Sequence, residues 1–118
     1  MTFATAAFFT SLICFALAII WFLFPKVLLH FWGVPYSEPV GLMARRGAAL
    51  FLGLAIMFFL ARGAGPSPLR ADLTLGMTSA CAGLAGLGIY EFARKHAGPG
   101  IWLAIFTEIA IAAAFFWT

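Results

Sequence analysis

Charge is scarce in this sequence: 9% of its 118 residues are Asp, Glu, Lys or Arg, and only four are acidic. Ordinary soluble domains carry roughly 25%. Folded in water, such a chain would have to hide more apolar surface than a small domain's interior can hold. A disordered tail and a conventional soluble enzyme are thereby excluded. Cysteine is sparse too. The two present, Cys14 and Cys81, lie in separate apolar runs, which excludes a disulfide-stapled module and a CxxC motif and suits buried small hydrophobes. No Lys or Arg precedes Lys26, so the apolar N-terminal segment lacks the basic region of a cleaved signal peptide and reads as a retained helix. The seven basic residues form no stripe that could follow a phosphate backbone, so no nucleic-acid partner is expected. Catalytic templates are absent as well: there is no GxSxG elbow, no glycine-rich phosphate loop with its lysine, no HExxH and no convincing Ser/His/Asp set. The expectation is a protein that is not an enzyme.

What remains is hydrocarbon-like. Hydrophobic residues make up 64% of the chain and the mean hydropathy is +1.07. A small integral membrane protein fits this composition. The fold expected is all-α, a single membrane domain over residues 1–118 with four antiparallel transmembrane helices at 3–24, 42–61, 73–90 and 101–118. The first, at 22 residues, would reach about 33 Å, slightly more than a typical hydrocarbon core. In the second the uncharged stretch Gly47 to Ala61 is only 15 residues, so Arg45, Arg46 and Arg62 must snorkel towards headgroups. The third and fourth, at 18 residues or about 27 Å, suit a thin membrane or little tilt.

Proline and glycine mark the connections. Pro25, Pro35 and Pro39 prevent one regular helix between the first two spans but permit a short interfacial helix over Lys26 to Trp32. Ser67 is placed to cap a helix beginning at Pro68, and Arg94 to Gly100 stops one helix and restarts another. Four crossings put both termini on one side. The linkers 25–41 and 91–100, with the adjoining helix ends, hold Lys26, Arg45, Arg46, Arg94 and Lys95, against Arg62 and Arg70 on the other face. This excess predicts cytoplasmic linkers at 25–41 and 91–100 and periplasmic termini in a bacterial inner membrane. Trp21, Trp32, Trp102 and Trp117 lie near the predicted interfaces and read as anchors.

Glu108 is the most informative residue, an acid near the centre of the fourth apolar segment. It cannot face lipid cheaply. Three roles are open to it: a neutral carboxylic acid bonded to Thr78, Ser79 or a helix carbonyl; a contact to another subunit; or a proton or cation site in transport. The third helix is rich in small residues, pairing Ser79 with Gly83 and Ala82 with Gly86, with Gly76 extending the surface; the second helix offers Ala49 and Gly53. Such spacing permits close backbone approach, so the third helix is expected to be the central packing element, within this chain or against a neighbour. The 14 phenylalanines suit lipid or protein contact and admit bound lipid or an apolar pigment, but point to no particular cofactor. His30 and His96 fall at the same membrane face without a metal motif, and no metal is expected. Asp72 with Arg70, and Glu91 with Arg94 or Lys95, are expected as local charge pairs.

Phe24-Pro25 closing the first helix, Arg45-Arg46-Gly47 opening the second, Leu60-Ala61-Arg62 closing it and Trp102 opening the fourth give a layout that resembles a loose set of small, uncharacterised bacterial four-helix integral membrane proteins. That resemblance is compositional, spans most of the chain and implies no activity. Size and helix number are also similar to small multidrug-resistance transporters, whose membrane carboxylate belongs to the first helix; here that helix has none. The function expected is a noncatalytic accessory or structural subunit within a larger membrane complex, in contact with lipids and other integral membrane subunits. The alternative is a small oligomeric proton-coupled transporter using Glu108.

Overall fold

A computed structural model describes residues 2–118. Five helices follow in order: α1 (Phe3–Leu23), α2 (Pro25–Phe31), α3 (Glu38–Ala61), α4 (Pro68–Ala93) and α5 (Ile101–Phe116). No strand occurs among the described residues. Three of the helices, α1, α3 and α4, are long and apolar enough to cross a membrane. At 16 residues, or about 24 Å, α5 falls short of an unaided crossing.

Caps set helix bounds that hydropathy misplaces. Ser37 accepts a hydrogen bond from the Val40 amide, so α3 begins at Glu38 rather than 42, and Pro39 is tolerated because a first-turn amide has no helical partner. Ser67 likewise accepts from the Arg70 amide, starting α4 at Pro68, five residues before the apolar run at 73. The same helix continues past Tyr90 to Ala93, and α5 ends two residues before the expected 118. Between α1 and α3 the short helix forms as Pro25–Phe31. It closes through Gly33, whose φ of 72° allows Gly33 N–H to reach His30 O and Val34 N–H to reach Leu29 O. Lys95 ends α4 by the same bond pattern at φ 61°, with Lys95 N–H on Phe92 O and His96 N–H on Glu91 O.

The helices form two hairpins, α1 with α3 and α4 with α5, and the hairpins meet mainly where α1 touches α5. α1 buries Ala7, Cys14 and Ala18, and α3 buries Ala44, Ala48 and Ala55, so the first hairpin packs largely through small side chains. In the second, Gly88 brings the backbone of α4 against Ile105: a Cβ there would lie 2.8 Å from Ile105 Cγ1. Phe115 joins the hairpins at one end, its ring centroid 5.9 Å from Phe3 and 5.3 Å from Phe58. At the other end the two linkers touch through backbone. Gly98 N–H donates to Trp32 O at 2.5 Å, and a Cβ on Gly100 would collide with Phe31 O. The resulting body measures 44 × 28 × 18 Å, with bulky apolar side chains outward, Leu50 and Leu60 each at 73% exposure. Exposure on that scale suits lipid as solvent.

Candidate functional site

Two groups of residues stand apart from ordinary packing, one inside the second hairpin and one on its outer surface. Inside, Glu108 of α5 is half-buried and its Oε2 has no hydrogen-bond partner among the described residues; Thr78 Oγ1 of the neighbouring α4 is in the same condition. Cys81, one turn beyond Thr78, is within electrostatic reach of both Glu108 and Cys14. The neighbouring Thr107 turns away, donating to Leu103 O at 2.8 Å. Buried oxygens without partners are costly, and more so in hydrocarbon than at a wet surface. The expected bond from Glu108 to Thr78 or Ser79 is not formed. Ser79, one residue past Thr78, is carried about 100° round the helix and is exposed. Thr78 and Glu108 each bury an unpaired oxygen, whereas Ser79 belongs to the outer surface.

That second surface is the outer face of α4. Gly76, Gly83 and Gly86 have nothing within 4 Å of where a Cβ would stand, and Ser79 and Ala82 are exposed beside them. On α3, Gly53 meets nothing and Ala49 is exposed. The structure thus corrects one half of the sequence expectation: these small residues do not mediate close packing within the chain. The work falls instead to Gly88 and to the alanines at Ala44, Ala48 and Ala55, whose spacing of four and seven residues was the available signal.

The two hairpins bury similar stripes but differ outside. Counted from the buried cysteines, α1 shows Phe9, Leu12, Phe15 and Ile19 at five before, two before, one after and five after Cys14; α4 shows Gly76, Ser79, Ala82 and Gly86 at the same offsets from Cys81. All eight side-chain positions are exposed. Bulky apolar residues cover α1 where α4 presents only glycine, serine and alanine.

The remaining polar residues are dispersed. Trp21 and Trp32 stack edge to face at 5.3 Å, Trp102 packs on Phe92 at 5.4 Å, and Trp117 is 76% exposed beside Phe116. Glu91 pairs with His96, Oε2 to Nδ1 at 2.6 Å, not with Arg94 or Lys95. Arg70 does not pair with Asp72: its guanidinium lies 4.4 Å over the Phe3 ring and donates to Ala64 O at 3.2 Å. His30 is exposed, and among the described residues no cluster of His, Cys, Asp and Glu could hold a metal ion. No family model matches the chain, and no characterised protein or solved structure matches it either.

Proposed function

We propose that this protein is a noncatalytic subunit of a larger membrane assembly, crossing the bilayer four times and docking through the outer face of α4. The observation that carries this reading is the contrast between matching offsets on the two hairpins, Phe9, Leu12, Phe15 and Ile19 against Gly76, Ser79, Ala82 and Gly86. In lipid, apolar side chains gain nothing by turning from hydrocarbon to each other, so helices associate through close backbone contact and dispersion. A small-residue face supports contact with another helix; a phenylalanine face supports contact with acyl chains. The short α5 enters the bilayer as the fourth crossing by thinning it locally, with Trp102 and Trp117 at its ends. Lys26, Arg45, Arg46, Arg94 and Lys95 at one end of the bundle favour cytoplasmic linkers and periplasmic termini in a bacterial inner membrane.

Because Gly83 and Gly86 meet nothing within the chain, leucine at both positions tests docking without disturbing the fold. Mild extraction of the wild type should yield a particle heavier than this chain, and Gly83→Leu with Gly86→Leu should release the free subunit. Retention of the same heavy particle by the double variant would reject the docking role of α4.

The buried Glu108 Oε2, without a hydrogen-bond partner among the described residues, favours a second reading, a proton-coupled transporter built from several copies. Glu108→Gln separates the two. Abolished proton-coupled uptake with intact assembly would support transport, and unchanged uptake would reject it.

A further inference from the structure

At the end of the bundle where α4 begins and α5 ends, a groove of about 420 Å³ opens between the two helices. None of Gly76, Ser79, Ala82, Gly83 and Gly86 lines it, nor does Glu108, although Thr78 does. Among the described residues lining it, Arg70 is the one charged side chain; its guanidinium rests on the Phe3 ring and donates one N–H to Ala64 O, which leaves its other N–H groups for a ligand, and no carboxylate lies within ion-pair distance of it. Ser67 Oγ accepts the Arg70 amide and so keeps its own hydrogen for donation. Thr74 and Thr78 follow Arg70 along the groove at one-turn intervals. Leu75 and Phe116, each 67% exposed, and the buried Phe115 form its apolar wall. The groove is therefore cationic at its mouth, hydroxylated a turn deeper and greasy alongside.

Depth gives these groups a ligand. α4 has 26 residues, about 39 Å, against a hydrocarbon core of about 30 Å, so its first turn lies at headgroup level and Thr74 just inside. The positive end of the α4 dipole adds to the attraction for an anion at Arg70. We infer that the α4/α5 groove binds one anionic glycerophospholipid, with its phosphate on Arg70 and Ser67, an ester carbonyl on the Thr74 hydroxyl and an acyl chain along Leu75 and Phe116. A free phosphate would satisfy only the mouth. The apolar wall continuing from it selects the lipid.

The inference rests on the membrane reading but not on docking through α4. Its test is native mass spectrometry of the full chain released from nanodiscs holding equal phosphatidylglycerol and phosphatidylcholine of identical acyl composition. The wild type should retain phosphatidylglycerol about fivefold over phosphatidylcholine, the worth of one basic contact to an anionic headgroup. Arg70→Gln should erase that preference, and Thr74→Val should weaken retention of both lipids. Arg62→Gln should leave the preference intact, because Arg62 belongs to the same end of the bundle but does not line the groove. Equal retention of the two lipids by the wild type would overturn the inference without recourse to any variant. So would an undiminished preference in Arg70→Gln, or displacement of the lipid by inorganic phosphate. A chain soluble without detergent would instead overturn the membrane reading itself.

Discussion

Lys95 occupies a position that most residues avoid. Its φ of 61° lies in the left-handed region, where a Cβ crowds the following carbonyl, yet the α4 terminus needs that geometry to place Lys95 N–H on Phe92 O and His96 N–H on Glu91 O. Gly33 solves the same problem at the end of α2 without a Cβ. Lys95→Gly should accordingly stabilise the fold by about 1 kcal/mol, measured by denaturant unfolding in detergent. A loss of stability would show that the lysine makes a contact worth more than the backbone cost. The opposite sign is expected a few residues on. Gly100 faces Phe31 O so closely that even a methyl group must push the two linkers apart. Gly100→Ala should destabilise by about 1 to 3 kcal/mol, the usual range for forcing backbone to shift. A neutral result would mean that the linker contact contributes little to joining the hairpins.

At the scale of helices, different physics fixes different properties, and only some of it is written locally. The apolar runs locate α1, α3, α4 and α5, because a helix satisfies the backbone polar groups of a long apolar run within the run itself. Where each begins is a matter of caps. Ser67 before Pro68 is readable as one; Ser37 before Glu38 and Pro39 reads as loop, because two prolines and a glycine lie nearby. Which face of each helix turns inward is hardly encoded by hydropathy, since lipid and core accept the same side chains. The stripe of Gly76, Ser79, Ala82, Gly83 and Gly86 therefore marks a packing face in sequence, without saying whether it serves this chain or a neighbour, and it lies outside in the structure. Glu108 was legible as a residue that must turn from lipid, but not its lack of a partner, which depends on where Thr78 and Ser79 fall around α4. One consequence belongs to α4 as an element. With leucine at Gly83 and Gly86 the isolated chain should unfold within about 0.5 kcal/mol of the wild type, as substitutions at contact-free positions do. A larger drop would place those residues in an interface within the chain.

For the whole molecule, the decisive feature is how its two halves are joined. The α1/α3 and α4/α5 hairpins share one buried cluster, with Phe3 and Cys14 of α1 and Phe58 of α3 on one side and Met77 and Cys81 of α4 and Phe115 of α5 on the other, and the linker backbones meet at the far end. Cys14 and Cys81 lie in the shared core, 2% and 3% exposed, and should resist alkylation by a maleimide in the folded protein while reacting fully on denaturation. Their inertness makes a cysteine-free background, Cys14→Ala with Cys81→Ala, the natural starting point for mapping topology. Into it, single cysteines at Thr2, Gly65, His96 and Thr118 would be introduced and labelled from each side of sealed membranes with an impermeant reagent. Thr2→Cys, Gly65→Cys and Thr118→Cys should label from one side and His96→Cys from the other. Labelling of Thr118→Cys from the same side as His96→Cys would show that α5 does not cross, and the four-span reading would be wrong.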